Sequence, residues 1–523
     1  MTATSLRFLA FVICSVILFL VFPRKYRWIA LLVSSVAFFL ISAKELILFI
    51  LFTSVTVYAA AGLIDKTGKK GDEKLKQPGL EKEDKKAIRK ETGSKRRLIL
   101  ILTIVLNIGI LVFFKVFGYF IVAYEVLMGL LTGGAADLPA LLIPLGISYY
   151  TFSATGYLLD VYWKRYAPEK EYLRFLLFLI YFPHILQGPI SRYPKLGQQL
   201  KKSELRLTWD NVAYGFARIL LGCFKKLVIA DRAGIFVSDV MKTPGLTGGV
   251  YLAALVLDAI QIYMDFSGYM DIMCGVSRIF DVELEPNFNL PFLAVSVPDF
   301  WRRWHMSLGS WFRDYVYYPL TVSSWNKKIT KATGKWKGVY LKKFAAVIIP
   351  VMITWILTGL WHGTGPGYVL WGVYYGILIA LSVTFSDRVQ ELLAKAHIRT
   401  DTVPYRIFRT LKIFVIFMGG RFLASSVSFS QKGQILKRLF TSPSLSGLMD
   451  CGLRTKDFAI LALGVVMMIV LAVIGQKEDV IDWARKRHPV LKSMMILFLF
   501  FMVFLFGIYG SRYDASTFMY QQF

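Results

Sequence analysis

The chain has 523 residues, of which 56% are hydrophobic, 15% aromatic and only 18% charged. A soluble globular protein carries about 25% charged residues and shorter apolar runs, so this composition excludes that class. The net charge of +28 does not indicate a nucleic-acid partner, because the basic residues flank apolar stretches, as they do in membrane proteins.

Apolar segments long enough to cross a bilayer recur along the chain. We predict an all-α polytopic membrane protein of roughly 10–13 spanning helices with re-entrant and interfacial pieces, forming one embedded domain over 1–523. The first segment has no small-residue cleavage site and is expected to remain as an anchor. The spans are predicted near 6–22, 28–44, 45–63, 98–126, 139–160, 212–230, 248–276, 341–361, 366–386, 405–425, 457–475 and 493–510.

The distribution of basic residues predicts the orientation of the chain in a bacterial cell membrane. Arg24–Arg27 follows the first span, and segment 65–97 follows the third with 13 Lys/Arg against 7 Asp/Glu. Because basic loops remain in the cytoplasm, both are predicted inside and the N-terminus outside. The mixed charges of 65–97 predict a solvated, poorly ordered cytoplasmic loop.

Unusual intramembrane polarity is concentrated in 139–425, which we predict to be the catalytic core region. Pro144–Phe152 places hydroxyl and aromatic groups on an apolar helix, where hydrogen bonding between helices is the favoured role. Tyr181–Arg192 contains two prolines and a glycine, which predict a broken, re-entrant element.

Three acidic residues, Asp258, Asp265 and Asp271, lie on one otherwise apolar segment. Carboxylates are costly in lipid, so these side chains must face protein or water. Two roles remain open from the sequence: proton relays, as in a transporter, or buried partners of the arginines that follow.

The densest polar motif runs from Glu285 to Tyr315. Asp299 is predicted to cap a helix that begins just after it. On that helix, spacings of three and four place Trp301, Trp304 and His305 on one face, with the arginines to the side. A Trp/Arg-rich helix of this kind is suited to the membrane interface, although an anchor alone does not explain the histidine.

His362 lies within Phe344–Ser386, a stretch without any Asp, Glu, Lys or Arg. Gly363–Gly367 follows it and predicts a helix break at membrane depth. An imidazole in this setting is a candidate base, with a buried structural histidine as the equally weighted alternative.

The remaining residue types indicate no metal site or disulfide. The four cysteines have no paired spacing and are expected to be small buried hydrophobes, and the five histidines are scattered.

Several motifs together resemble the membrane-bound O-acyltransferase family, in particular its bacterial branch that acetylates alginate. They are Phe300–Leu308, Trp311–Leu320, Leu360–Gly363, Pro144–Phe152, Gln187–Ile190 and Asn287–Pro291. The resemblance implies helices around a central tunnel, with His362 as the catalytic residue and His305 as the second family histidine.

The resemblance also implies the reaction. An acetyl group from a cytoplasmic thioester, expected to be acetyl-CoA and with no bound cofactor, would pass to hydroxyls of an extracytoplasmic polysaccharide or to a secreted SGNH-type partner. His362 would activate the hydroxyl, because a thioester needs no further activation. Trp361, Thr364 or backbone N–H groups are candidate oxyanion donors. The predicted substrate-binding residues are Arg302, Arg303, Trp304, Asn287 and Trp361, with the two arginines pairing with donor phosphates.

Three other functions remain open. D-alanyl transfer from a carrier-protein thioester toward teichoic acid is the alternative within the same enzyme class. A transporter would explain buried acids and broken helices, and a non-catalytic scaffold would explain only the basic loops.

Overall fold

The computed structural model describes residues 3–132, 146–185, 187–202, 204–363 and 365–509. Within these ranges the chain folds into α-helices with short 3-10 and π-helical turns and contains no β-strand, which confirms the all-α prediction. The chain divides into two compact units. The first consists mainly of Ala10–Leu207 with Phe280–Leu284, and the second of the described parts of Thr208–Ile279 and Glu285–Phe523, with Thr2–Leu9.

The first unit contains most of α1 and all of the next seven helices. Their bounds are α1 Leu6–Val21, α2 Arg27–Ala43, α3 Ile47–Lys74, α4 Lys82–Thr132, α5 Ile147–Tyr162, α6 Tyr172–Ile180, α7 Phe182–Ile185 and α8 Gln198–Leu200. The break predicted within Tyr181–Arg192 is confirmed, since α6 ends before it and the described residues inside it form a single helical turn, α7. Pro144 and Leu145 lie outside the described residues.

Segment 65–97 differs from its prediction. Instead of a poorly ordered loop, it forms the end of α3, a short turn and the beginning of α4. Gly71 leaves room for Thr92 of the facing helix, and a Cβ at that position would overlap the threonine side chain. Ion pairs one helical turn apart, Lys69–Asp65 and Lys95–Glu91, add to the helical preference of this charged segment.

The second unit contains the remaining helices, with both His305 and His362. Their bounds are α9 Trp209–Cys223, α10 Asp231–Lys242, α11 Gly248–Ile279, α12 Val297–Arg303, α13 Met306–Phe312, α14 Tyr318–Val322, α15 Ser324–Thr333, α16 Val339–His362, α17 Pro366–Lys395, α18 Val403–Ala424, α19 Phe429–Thr441, α20 Thr455–Ile474, α21 Val480–Arg485 and α22 Pro489–Phe506.

Eight helices of the described chain are long and apolar enough to cross a membrane. They correspond to eight of the predicted spans and include α2, α3, α11, α16, α17, α20 and α22, together with the Lys82–Phe117 part of α4. The larger predicted number included shorter elements. For example, segment 212–230 consists of α9 followed by a π-helical stretch, Phe224–Ala230, and does not form one long helix.

Helices α9 and α11 pack closely because glycines face each other at two levels. A Cβ at Gly215 would overlap the carbonyl oxygen of Gly275, and a Cβ at Gly222 would overlap the carbonyl oxygen of Gly268. A Cβ at Gly275 or Gly268 would likewise overlap the carbonyl oxygen of the facing glycine. Chain direction is therefore opposite in the two helices. Small residues that let backbones approach are typical of helix contacts in membranes. This contact brings the charged residues of α9 and the following π-helical turn against the acids of α11.

Helices α16 and α17 form a second close pair, joined by the Gly/Pro turn that the sequence predicts. Gly359 faces the carbonyl oxygen of Tyr368, and Gly372 faces that of Trp355, so neither position has space for a side chain. His362 is the last residue of α16, and this tight hairpin fixes the position of its backbone.

Candidate active site

The helix predicted to begin after Asp299 is divided into two short helices. Helix α12 begins at Val297, where the Ser296 hydroxyl accepts a hydrogen bond from the Asp299 backbone N–H, so Ser296 is the cap and the predicted role of Asp299 is wrong. Helix α12 ends at Arg303, and His305 has a left-handed backbone with φ of 46°. Trp301 and His305 therefore do not share the face of one continuous helix.

Asn287 holds the break between these helices in place. Its side-chain oxygen lies 3.2 Å from His305 Nδ1 and accepts hydrogen bonds from the Ser307 N–H at 3.0 Å and hydroxyl at 2.9 Å. Its backbone oxygen accepts a further bond from the Met306 N–H at 2.9 Å. A residue 18 positions earlier in the chain thus determines the conformation and ring orientation of His305.

The two family histidines meet in the interior of the second unit. The ring centres of His305 and His362 are 6.3 Å apart, and their exposed fractions are 2% and 6%. Aromatic rings surround the pair, with Phe266 and Trp361 beside His305 and Trp371 beside His362. His305 is almost fully buried, and this burial lowers its pKa to about 3. It is therefore neutral at physiological pH.

A large cavity of about 610 Å³ is lined by two neighbours of His305, although not by His305 itself. Asn287 and Met306, which contact or adjoin the histidine, line its inner part, and Tyr263 and Phe288 add aromatic walls. Its charged lining comes from Arg218, Lys225, Asp271 and Asp479. This volume is within the range of small-molecule binding sites.

A second, small cavity of about 20 Å³ reaches His362, and Trp304, Tyr368 and Trp371 are among its other lining residues. The cavity is large enough for one water-sized group. Trp301 also lines it, and the Trp301 indole N–H is buried without a hydrogen-bond partner among the described residues. The small cavity therefore combines an imidazole with a buried N–H donor.

Each acid on α11 is paired with a cation. Arg421 forms two hydrogen bonds to Asp258 at 3.0 and 3.1 Å. Asp265 binds Lys226 at 2.7 Å. The third, Asp271, binds Lys225 at 2.6 Å and Arg218 at 3.1 Å. The acids are thus buried partners of cations, which is one of the two roles that the sequence left open. The cations come from α9, the π-helical turn and α18. Asp258 therefore has the kind of partner that was predicted, an arginine that follows α11, whereas the cations bound to Asp265 and Asp271 precede it in the chain.

The other predicted site residues fall into two groups. Trp304 lines the small cavity, and the Trp361 ring centre lies 5.7 Å from that of His305, so both belong to the histidine site. Arg302 and Arg303 line neither cavity and instead pair with Asp299 at 3.6 and 3.0 Å. The structure gives no direct support to their predicted contact with donor phosphates. Thr364 lies outside the described residues.

Several site residues were not predicted from the sequence. Arg218, Lys225 and Arg421 had been assigned no role, and Trp301 had been placed only on an amphipathic face. The matched glycine spacings in α9 and α11 were the available signal for the first two, because they align Arg218 and Lys225 with Asp271. In the described part of the chain, no group of three His, Cys, Asp or Glu side chains is arranged to hold a metal ion.

The fold and the paired histidines define a class of membrane-embedded transferases, and sequence comparison identifies it. The model of MBOAT, the membrane-bound O-acyltransferase family, matches residues 102–428, which is more than half of the chain. This protein belongs to that family.

Relatives within the family are named for different activities. The chain is 28% identical over 344 residues to the probable alginate O-acetylase AlgI of Pseudomonas syringae, covering 65% of this chain and 60% of the relative. It is 28% identical over 327 residues to the peptidoglycan O-acetyltransferase of Helicobacter pylori, with 58% of each chain covered. It is 32% identical over 242 residues to the teichoic acid D-alanyltransferase of Bacillus subtilis, covering 45% and 58%. The matches thus span less than two thirds of these relatives' lengths.

Proposed function

We propose that this protein transfers an acetyl group from a cytoplasmic thioester, acetyl-CoA, to hydroxyl groups of an extracytoplasmic polysaccharide or of a partner protein that acylates it. The observation that carries the proposal is the pair of buried histidines, 6.3 Å apart between ring centres. Neighbours of His305 line the large cavity, and His362 itself lines the small one. An acyl group in the large cavity and a single acceptor hydroxyl in the small one would meet at this pair.

His362 is the base in this proposal. Its imidazole removes the proton of the acceptor hydroxyl while the oxygen attacks the thioester carbonyl, and the thiolate leaves as the carbonyl re-forms. His305 positions the acyl group next to it, because its own ring is fixed by Asn287 and stays neutral. The Trp301 N–H supports this step, since a buried donor without a protein acceptor is suited to an oxygen that carries negative charge in the transition state.

The large cavity supports access of the donor from the cytoplasm. Its lining includes the exposed Asp479 of the connection between α20 and α22, and segment 477–492 of that connection has more basic than acidic residues. Basic connections are retained on the cytoplasmic side. Arg218 and Lys225 line the same cavity, so a donor phosphate would meet two cations that already hold carboxylates.

The lining charges favour an acetyl group over a D-alanyl group. A D-alanyl thioester carries an ammonium group, which needs an acidic partner in a low-dielectric cavity. The two carboxylates of the large cavity are already engaged, Asp271 by Lys225 and Arg218, and Asp479 by Arg218. Next to His305 the cavity is lined by Asn287, Phe288 and Met306, an uncharged surface that suits an uncharged acyl group.

A donor assay separates the two transfers. The full-length protein in lipid nanodiscs is incubated with labelled acetyl-CoA or with a D-alanyl thioester on a carrier protein, and release of free thiol is followed with water or a glycan hydroxyl as acceptor. We expect acetyl-CoA consumption that requires the protein and no consumption of the D-alanyl thioester. Consumption of the D-alanyl thioester alone would replace the proposal by the related D-alanyl transfer.

A further inference from the structure

A second binding site lies apart from the histidines, between α9, α20, α21 and α22. It is an apolar slot of about 230 Å³ whose walls include Ala217, Leu221, Leu471, Ile496 and Leu499. An apolar protein cavity of about 150 Å³ is enough to hold benzene. The slot is therefore large enough for a flexible segment of alkyl chain.

The slot is bounded by helices that present most of their surface to lipid. Helices α20 and α22 bury only 11% of their apolar spanning windows within the chain. Phe498, one of the lining residues of the slot, is 55% exposed. An alkyl chain can reach the slot from the bilayer without passing through protein.

A charged vestibule of about 560 Å³ adjoins the slot where α20 ends and α22 begins. Asp210, Arg485 and Lys492 line both spaces and so connect them. The vestibule is lined by three acids and three bases, namely Asp210, Glu478, Asp482, Arg485, Lys486 and Lys492. The two spaces together have the polarity of a phospholipid, with an apolar part next to a part that carries both charges.

The pairing inside the vestibule leaves charges available to a ligand. Arg485 is shared between Asp210 at 2.7 Å and Asp482 at 3.3 Å, and Lys486 pairs with Glu478. Lys492 forms no ion pair with any carboxylate in the described residues and lies at the boundary with the slot. A phosphate group would pair with Lys492. An ammonium group would pair with Asp210 and Asp482, which share a single arginine.

We propose that this site binds one phospholipid with a phosphoethanolamine headgroup. An acyl chain lies in the slot, the phosphate accepts hydrogen bonds from Lys492 and Arg485, and the primary ammonium donates to Asp482 and Asp210. The proposal does not depend on the proposed acetyl transfer. The bound lipid would lie next to the large cavity, because four residues line both the slot and that cavity: Leu221, Leu471, Val480 and Ile481. The bound chain supports this shared wall from the outside.

Lipid retention measured by native mass spectrometry tests the site. The full-length protein is purified in detergent, delipidated and titrated with phosphatidylethanolamine, phosphatidylcholine or phosphatidylglycerol. We expect one phosphatidylethanolamine per chain, held at least tenfold more tightly than phosphatidylcholine, whose trimethylammonium has no N–H to donate, and than phosphatidylglycerol, which has no ammonium group. Lys492→Ala should weaken retention about tenfold, the effect of losing one charge-assisted hydrogen bond.

Two further variants complete the experiment. Lys477 is an exposed lysine of the same connection and lines neither space. The Lys477→Ala variant should therefore retain the lipid like the unmodified protein. Ala217→Phe should fill the slot and prevent retention, with an unchanged thermal midpoint showing that the fold is intact. Equal retention of the three lipids, full retention by Lys492→Ala, or a dimer that survives delipidation with this face covered by a second copy would each overturn the proposal.

Discussion

His305 has a backbone conformation that non-glycine residues rarely adopt. A left-handed residue persists where surrounding contacts determine the geometry, and such residues are frequent at functional sites. Here those contacts are the hydrogen bonds to Asn287, which hold both the ring and the start of α13. The cost of this conformation suggests that the position of the imidazole matters more than local helix stability.

Burial of His305 has a consequence for stability that can be measured. Its pKa is lowered to about 3 from 6.5, so between these values the unfolded chain binds a proton that the folded chain does not. The free energy of unfolding therefore falls as the pH drops below about 6.5. His305 lowers it by about 2 kcal/mol between pH 7 and pH 5. His305→Gln should reduce the difference in unfolding free energy between pH 7 and pH 5 by that amount.

The control for this pH experiment is His397→Gln, which changes an exposed histidine. It should leave the full pH dependence in place. Buried His184, whose pKa is lowered to about 4, contributes to the remaining loss in every variant. An identical pH dependence with and without His305 would show that its imidazole is not buried in the neutral form.

Trp301 gives a second prediction, which concerns the transition state. Trp301→Phe keeps an aromatic ring and removes the buried N–H, and loss of one oxyanion donor typically lowers kcat about 10²–10³-fold. We expect a decrease of that size with little change in KM, because the donor acts mainly after the acceptor attacks. Trp355→Phe is the matched control, since Trp355 packs against Trp301 but does not line the small cavity. Equal activity of the two variants would exclude the donor role.

At the level of elements, the contact between α9 and α11 organises the charged part of the site. Asp271 meets Lys225 and Arg218 only because the glycines of the two helices let their backbones approach. A change in this packing would separate these buried charges, and a buried charge without its partner is strongly destabilising.

Two glycine substitutions test this packing with opposite expected signs. Gly275→Ala places a Cβ against the Gly215 carbonyl and should lower the thermal midpoint, with a cost of about 1–3 kcal/mol from overpacking. Gly109→Ala is the control, because its Cβ would meet open space, and it should raise helix stability by about 1 kcal/mol. A Gly275→Ala midpoint equal to or above that of the unmodified protein would contradict the close contact.

The sequence predicted elements best where one local signal dominates. Long apolar runs located α11 and α16, and the prolines of Tyr181–Arg192 predicted the interrupted helix. The division at His305 was not predictable from helical periodicity, because the bonds that cause it come from Asn287. Ion pairs of α11 were missed for the same reason, since their cations lie far away in sequence.

For the candidate site, the sequence identified the residue types but not the contacts. His305, His362, Trp304 and Asn287 were selected from motifs, and the structure brings them together around two cavities. The cavity walls were not predictable, because each combines side chains from several helices whose packing depends on tertiary contacts.

At the scale of the whole molecule, the orientation in the membrane determines which side supplies the donor. Gln77 lies exposed in the turn between α3 and α4, whereas Gly71 is packed against Thr92 and is a poor position for a probe. Gln77→Cys, in a chain whose native cysteines are changed to serine, should be protected from a membrane-impermeant thiol reagent in intact cells and react after lysis. Labelling in intact cells would reverse the orientation.

The central claim is that His362 is the base for acyl transfer, and His362→Gln tests it most directly. Glutamine keeps a polar side chain in the space of the imidazole but cannot take up a proton at working pH. In nanodiscs with labelled acetyl-CoA and a glycan acceptor, we expect transfer to fall at least 10²-fold, the lower end of typical general-base contributions. Donor binding and the thermal midpoint should stay unchanged, and His397→Gln should be fully active. Near-normal transfer by the His362→Gln protein would contradict the assignment and make His362 a structural residue.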